Sequence, residues 1–137
     1  MITDILSQLR RDEGEVPVLY YDAVGVPTVG VGHNLHTPMS ERAMTVLLED
    51  DLAAKDIELA KEFPWIKGLS DARLGVLRNM AFNIGVGGVM GFRRMLRAMQ
   101  AARWEDAAKE LLASHYALQV GDRARRLATQ LRTDTWQ

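Results

Sequence analysis

The sequence predicts an α+β fold that is mostly helical and has one small antiparallel sheet. Residues 16–32 are rich in β-branched and aromatic side chains and contain a turn signal, whereas apolar residues from Ser40 onward recur at helical spacing. The chain has 137 residues, of which 47% are hydrophobic, which is enough for one domain with a core. We therefore expect a β-containing lobe at residues 1–38, a connecting helix at 39–63 and a helical lobe at 64–137.

The first predicted element is a short helix. Residues 5–11 place apolar side chains at helical spacing, and Gly14 is suited to the positive φ that ends a helix. This arrangement puts Glu13 at the end of the helix, with its side chain directed at whatever follows.

A β-hairpin is predicted next. Residues 16–21 and 28–32 have strand composition, and Gly25, Val26 and Pro27 between them indicate a turn. Strands hold side chains more rigidly than loops do. We therefore expect Asp22 and Thr28 on facing strands, opposite Glu13 across a cleft.

The remainder of the chain predicts helices. The connecting helix opens at Pro38 and Ser40 and runs to Phe63, because Pro64 stops it. A second helix begins at Ser70 and ends at the glycines Gly85, Gly87 and Gly88. Three more are predicted at residues 92–99, 104–113 and 122–131, the last one capped by Asp122, and the core is expected to include Met90, Met95 and Met99.

Two carboxylates and a hydroxyl in the first thirty residues suggest glycoside hydrolysis. One carboxylic acid protonates the leaving oxygen, and a second carboxylate assists water or stabilises the oxocarbenium-like transition state. Glu13 and Asp22 fit these roles. The alternatives are an ordinary helix-end carboxylate at Glu13, a turn cap at Asp22 and a plain strand former at Thr28.

Other polar clusters carry weaker signals. His33 and His36, with the distant His115, lack the further ligands of a closed zinc site, so we expect no metal and no cofactor, and we interpret His33 as a structural hydrogen-bonding residue. The net charge of −1 gives no basic field that demands nucleic acid or an anionic membrane. Four arginines near acidic residues favour wall binding or ion pairing over DNA, namely Arg123, Arg125, Arg126 and Arg132.

The composition and the N-terminal residues bear on location. There is no cysteine, so disulfide chemistry gives no information on the compartment. The segment Met1-Ile2-Thr3-Asp4 has neither a basic nor a continuous apolar region, and no stretch approaches the ~18 apolar residues of a membrane span. We expect a protein that is made without an export signal and does not insert into a membrane.

Several ordered blocks resemble the phage-type lysozymes, the muramidases of the T-even bacteriophage kind. The Glu, Asp and Thr occur at the spacing of that family. The blocks cover most of the chain and are residues 9–14, 20–22, 28–33, 79–85, 91–92, 103–108, 122–126 and 131–136. The chain departs from its T-even relative at Asn83, where that relative has Gln, and at Tyr116, where it has Trp. The segment after His33 is also shorter.

The resemblance implies a lysozyme-like fold and assigns roles to individual residues. Glu13 is the general acid, Asp22 assists the water or stabilises positive charge, and Thr28 positions the water. Arg123 is a structural partner near Glu13. The implied substrate-binding or supporting residues are Gly32, His33, Asn83, Phe92 and Arg123.

The implied activity is hydrolysis of the β-1,4 bond between N-acetylmuramic acid and N-acetylglucosamine, with inversion. One alternative is a lytic transglycosylase, which works with Glu13 alone, and another is a non-catalytic wall-binding phage structural module. The implied partners of this monomer are peptidoglycan glycan strands and a holin-type release protein. It is made in the host cytoplasm and acts in the periplasm or cell wall after release, although a component of the phage particle is a second possibility.

Overall fold

The computed structural model describes all residues, Met1–Gln137, and confirms the predicted α+β class with seven helices and one three-stranded sheet. The chain forms two compact units, Met1–Thr45 and Val46–Gln137, which are described separately below. The predicted division at residues 38 and 63 stays a prediction. None of the helices combines the length and hydropathy needed to cross a bilayer.

The first unit begins with α1 (Ile5–Glu13), close to its predicted bounds. Asp4 caps the helix, because its carboxylate accepts the Ser7 N–H at 2.8 Å. Hydrogen bonds from the Ser7 main chain and side chain hold the pKa of Asp4 below its usual value. At the other end Gly14 has φ +80° and donates its N–H to the Arg10 carbonyl, so the chain leaves the helix directly after Glu13.

The antiparallel sheet has the order β1 (Val16–Tyr21), β2 (Pro27–Gly30), β3 (His33–Asn34). Tyr20 pairs with Thr28, and Val29 pairs with His33. The predicted second strand at residues 28–32 was wrong at its end, since β2 stops at Gly30 and the chain turns back into β3. Gly30 and Gly32 have φ values of +67° and +64°, which bend the backbone away from extended geometry.

The connecting helix is α2 (Glu41–Glu62). Ser40 caps it by accepting the Ala43 N–H at 3.1 Å, and a short 3₁₀ helix, Pro64–Gly68, follows it, as Pro64 predicts. Leu59 is the single buried residue of α2. Most side chains of this helix therefore lie outside the hydrophobic core.

Helix α3 (Asp71–Met90) is capped by Ser70, as predicted. Gly85 has φ +76° and ψ 162°, so it breaks the helix at the first predicted glycine. The prediction that the helix ends there was wrong, because helical structure resumes at Val86 and continues to Met90. The result is two helical segments joined by one non-helical residue.

Four helices complete the second unit, α4 (Arg93–Gln100), α5 (Trp104–Leu112), α6 (His115–Val120) and α7 (Asp122–Thr133). Helix α6 was not predicted. The predicted cap at Asp122 was wrong, since Gly121 occupies the cap position and makes no side-chain bond, while Asp122 pairs with Arg125 in the first turn.

The hydrophobic core lies entirely within Val46–Gln137. Met95 and Met99 are each 1% exposed, which confirms their predicted core position, but Met90 is 44% exposed. Met90 is the last residue of α3, where the side chain has left the packed face. The largest fully buried side chains are Leu59, Val76, Leu77, Met80, Val89, Met95, Met99, Leu111 and Leu131.

A polar cluster fastens the start of α3 to the end of α7. The Arg73 guanidinium donates to the Leu131 carbonyl at 2.9 Å and lies 4.0 Å from the centre of the Trp104 ring. Arg73 also pairs with Asp134 at 3.7 Å, and the Ser70 hydroxyl bonds to that same carboxylate. Because the Arg73 side chain is only 16% exposed and makes several contacts, this cluster is better placed to hold the helices together than an isolated surface pair.

Candidate active site

The first unit holds the proposed acid at the end of α1. Two flanking carboxylates are neutralised, Asp12 by Arg11 and Glu15 by Arg10, each at 2.7 Å. Glu13 is exposed and forms no ion pair within its unit. Arg10 and Arg11 are therefore engaged with other acids, and the Glu13 carboxyl group has no ion-pair partner within its unit.

Gly32 lies directly against this carboxyl group. A Cβ atom at Gly32 would stand 3.1 Å from Glu13 Oε2 and 3.3 Å from Glu13 Cδ. The φ of +64° at Gly32 also disfavours any side chain. The structure thus brings together two of the predicted site residues. It also gives two physical reasons why position 32 is a glycine, the nearby Glu13 side chain and the positive φ.

Asp22 does not lie on a strand, contrary to the prediction, but in the turn after β1. Its Oδ1 atom accepts the main-chain N–H groups of Val24 and Val26, both at 2.9 Å. This is the geometry of a turn-capping aspartate. Oδ2 has no hydrogen-bond partner in the protein, so the residue caps the turn with one oxygen and leaves the other free for solvent.

Thr28 lies on β2, as predicted, and is 4% exposed. Its hydroxyl group donates to the Val26 carbonyl at 2.8 Å, and that carbonyl also accepts the Asp22 N–H at 3.0 Å. The main chain of Val26 therefore links Asp22 to Thr28. Because its proton is engaged, the Thr28 oxygen can act toward a water molecule as an acceptor.

Sequence reasoning placed Val26 in a turn but missed the role of its carbonyl group. The residue contributes only main-chain atoms, which every amino acid has, so its identity carries no signal. The available signal was the turn itself, since Asp22 and Gly25 stand at positions that favour a tight turn, and Gly25 donates its N–H to the Asp22 carbonyl.

His33 belongs to the same unit but forms no predicted hydrogen bond through Nε2. It lies on β3, is half-buried, and its Nε2 atom is buried without a partner. Its main chain pairs with Val29, so the residue is fixed by the sheet rather than by its imidazole.

Three predicted site residues lie in the second unit. Arg123 donates to Asn79, from Nε to the side-chain oxygen at 2.9 Å and from the guanidinium to the main-chain oxygen at 3.3 Å. Asn83 is exposed on α3, two residues before the break at Gly85. That Arg123 lies near Glu13 relates residues of different units and stays a prediction.

Phe92, the third of these residues, packs against Tyr116. Their rings meet edge-on, with centroids 5.7 Å apart and an angle of 89°. The Tyr116 hydroxyl is buried without a partner, and burial raises the pKa of that group. Tyr116 therefore makes an aromatic contact with Phe92 and carries an unsatisfied hydroxyl group.

Known proteins share this sequence pattern. The family model for phage lysozyme matches residues 10–131. The chain is 35% identical to the pre-baseplate central spike protein Gp5 of Enterobacteria phage T4, over 88% of this chain and 26% of that protein. It is 30% identical to probable T4-type lysozyme 1 of Dictyostelium discoideum, over 98% of this chain and 97% of that protein. It is also 30% identical to the endolysin of Salmonella phage P22, over 78% of this chain and 77% of that protein.

The extent of these matches differs. The chain spans about a quarter of the length of the T4 spike protein but nearly the whole length of the Dictyostelium lysozyme. The family match includes Glu13, Gly32 and the Asp22–Val26–Thr28 turn, and it continues through α3 and most of α7. This chain belongs to the phage lysozyme family.

Proposed function

We propose that this protein is a muramidase that hydrolyses the β-1,4 bond between N-acetylmuramic acid and N-acetylglucosamine in peptidoglycan. Membership of the phage lysozyme family supports a lysozyme-type glycosidase activity, and relatives named lysozyme and endolysin support the same class. The observation that carries the proposal is the unpaired Glu13 carboxyl group against Gly32, in the same unit as an aspartate with one free oxygen.

Each step of hydrolysis then has a donor and an acceptor. Glu13 donates its proton to the glycosidic oxygen as the bond to the anomeric carbon breaks. Asp22 Oδ2 accepts a proton from water as the water oxygen bonds to that carbon, and Thr28 Oγ1 accepts the second hydrogen bond of the water molecule. Attack on the face opposite the leaving group inverts the anomeric centre.

The remaining residues have supporting roles in this proposal. Asn79 fixes the Arg123 guanidinium with two hydrogen bonds, and Arg123 stands as a structural partner near Glu13. Gly32 leaves room for the acid, and His33 fixes the strand beside it. Phe92 and Asn83 contribute to binding the glycan.

A product analysis tests the reaction class. Purified peptidoglycan is digested in water enriched in oxygen-18, and the released fragments are examined by mass spectrometry. Reducing N-acetylmuramic acid ends that carry one heavy oxygen are expected. Unlabelled anhydro-sugar ends would instead make the protein a lytic transglycosylase, while no fragments at all would make it a non-catalytic wall-binding module.

Inversion is tested on the first product formed. Proton NMR during rapid cleavage of a soluble glycan strand reports the anomeric configuration before mutarotation. We expect the α-anomer to appear first from the β-linked substrate. Initial formation of the β-anomer would establish retention and would exclude direct attack by the water held at Asp22.

The Asp22→Asn variant separates the two roles of this side chain. Asparagine retains an oxygen for the Val24 and Val26 N–H groups but removes the anionic oxygen, so we expect normal stability and a large loss of activity. Asp12→Asn is the control, because it removes an exposed carboxylate one residue from Glu13. Unchanged activity in Asp22→Asn would leave Asp22 as a turn residue.

We further propose that the protein acts as a monomer on the cell wall after release by a holin-type partner. The endolysin of phage P22 supports this role, whereas the spike protein of phage T4 supports a component of the phage particle. Expression in bacteria should cause lysis when a holin is co-expressed and not otherwise. Lysis that is independent of a holin would remove the release partner from the proposal, and sedimentation of a dimer would exclude the monomer.

A further inference from the structure

Positive charge is concentrated in the last part of the chain. Residues 72–137 contain eleven lysines and arginines against five acidic residues, although the whole chain has a net charge of −1. The electrostatic field of the second unit is therefore uneven, and part of it is cationic although the protein as a whole is not basic.

Four of these residues line one surface depression of about 370 Å³ on α4 and α5. We call Arg94, Arg97, Arg103 and Lys109 the cationic surface. All four side chains are exposed. Two acids also line the depression, Asp106 and Glu110. Arg103 pairs with Asp106 at 3.8 Å, and the other three cations have no carboxylate within 4 Å.

Other arginines of the second unit face acids across the fold. Arg78 makes a two-pronged contact with Asp56, at 2.8 and 3.0 Å, and Arg132 contacts Glu105 at 3.0 Å. The depression thus has four positive side chains against two negative ones, a local excess of two positive charges.

The start of α4 adds a second electrostatic feature. Arg93 and Arg94 form its first turn, where the helix has no acidic residue and no side-chain cap. Cations at this end oppose the helix dipole, and the first N–H groups lack partners. A bound anion would relieve both effects.

The opposite side of α4 limits what the partner can be. Its other face is buried in the core through Met95, Leu96, Ala98 and Met99, so α4 cannot turn an apolar face into a bilayer. No aromatic side chain lines the depression, which removes the stacking platform typical of single-stranded nucleic-acid sites. What remains is an array of positive groups in which arginine predominates.

We propose that the cationic surface binds phosphate groups of a phosphorylated glycan of the bacterial envelope. The planar guanidinium groups of Arg94 and Arg97 match the paired oxygens of phosphate, and Lys109 adds a point charge. Such attachment holds the protein at the envelope through a site other than the cutting site, which raises the local concentration of its substrate.

Binding to the lipid-free, phosphorylated core oligosaccharide of lipopolysaccharide tests the proposal. Titration calorimetry of the full chain at about 20 mM and about 150 mM salt should show binding that weakens as salt increases. Dephosphorylating the oligosaccharide should reduce affinity about tenfold or more. Because the measurement is of binding, it is independent of whether the proposed glycosidase activity is correct.

Matched charge variants locate the site. Arg94→Gln, Arg97→Gln and Lys109→Gln together should weaken binding about tenfold, since three charge contacts are lost. The control removes three exposed cations without ion pairs from the same unit, by Lys61→Gln, Lys67→Gln and Arg126→Gln, and should change affinity less than about twofold. Thermal unfolding confirms that both variants are folded.

Several results would overturn the proposal. Equal losses in the two triple variants would show only general charge attraction, and equal affinity for the dephosphorylated oligosaccharide would exclude phosphate as the ligand. Tighter binding to phosphatidylglycerol vesicles or to single-stranded DNA, lost in the Arg94, Arg97 and Lys109 variant, would assign the surface to a membrane or to nucleic acid instead.

Discussion

The two units of the molecule are stabilised in different ways. In Met1–Thr45 the single buried residue is Thr28, whereas Val46–Gln137 contains the entire hydrophobic core. The first unit relies on a helix cap at Asp4, a glycine that ends α1 and the turn around Asp22. The proposed chemistry therefore lies where local hydrogen bonds, rather than packing, set the geometry.

The same residue type has a different environment in the two units. Leu9 on α1 is 42% exposed, whereas Leu77 on α3 is 0% exposed. Apolar burial scales with the area removed from water, so these leucines contribute unequally to stability. We therefore expect mutations in the first unit to change mainly function and mutations in the core of the second unit to change mainly stability.

The largest expected effect is on activity. Glu13→Gln should lower the rate of peptidoglycan cleavage at least about 100-fold, because the general acid is lost. The free energy of unfolding should stay within about 0.5 kcal/mol, since Glu13 is exposed. Turbidity assays and urea unfolding measure the two quantities. Glu15→Gln, two residues away, is the control, and near-normal activity in Glu13→Gln would remove Glu13 from the mechanism.

The second prediction concerns stability. Leu77→Ala should lower the free energy of unfolding by about 2–5 kcal/mol, because it opens a cavity in the core. Leu9→Ala should cost less than about 1 kcal/mol on the same measure, since much of that side chain is already in water. Urea denaturation followed by circular dichroism measures both. Similar losses would contradict the contrast between the units.

A third, smaller effect tests the contact between Gly32 and Glu13. Gly32→Ala and Gly30→Ala should each cost about 1 kcal/mol, because both positions have positive φ. Activity should fall at least about fivefold in Gly32→Ala alone, since its new Cβ crowds the Glu13 carboxyl group and Gly30 has nothing within 4 Å. Equal activities of the two folded variants would argue that the close approach is unimportant.

The smallest expected effect is a pH dependence of α1. Hydrogen bonds from Ser7 keep the pKa of Asp4 below its ordinary value of 3.8. The stabilisation is therefore present above the unfolded pKa and is lost as pH falls through the lower folded pKa. Carboxyl-carbon NMR of Asp4 measures this titration, and Asp4→Asn should abolish the associated change in α1. A midpoint at or above 3.8 would contradict the cap.

Local chemistry was sufficient to predict several element boundaries. Gly14 ends α1, Ser40 and Ser70 cap their helices, and Pro64 follows the end of α2, all as the sequence indicates. Each of these signals acts on residues within one turn of the chain. These signals can therefore be recognised in the sequence without knowledge of the tertiary structure.

Other features depend on the course of the backbone. Strand composition continues through residues 28–32, so the turn at Gly30 and the short β3 were missed. Composition also placed Asp22 on a strand, although its side chain binds the turn. Met90 resembles Met95 and Met99 in type, but its place at the end of α3 exposes it.

The candidate site was predictable in its side chains but not in its main-chain atoms. Glu13, Asp22 and Thr28 carry chemically distinctive groups at a recognisable spacing. The carbonyl of Val26, which joins Asp22 to Thr28, has no signature in the sequence. The positive φ of Gly32 and its closeness to Glu13 likewise required coordinates.

The cluster at Arg73 has a consequence for the order of folding. Its bond to Leu131 spans 58 residues, and the bond between Ser70 and Asp134 spans 64. Contacts so distant in sequence form slowly, because loop-closure entropy is lost before the contact is made. During synthesis, the start of α3 leaves the ribosome long before its partners exist. The second unit can therefore form these contacts only once Leu131 and Asp134, at and just beyond the end of α7, have emerged.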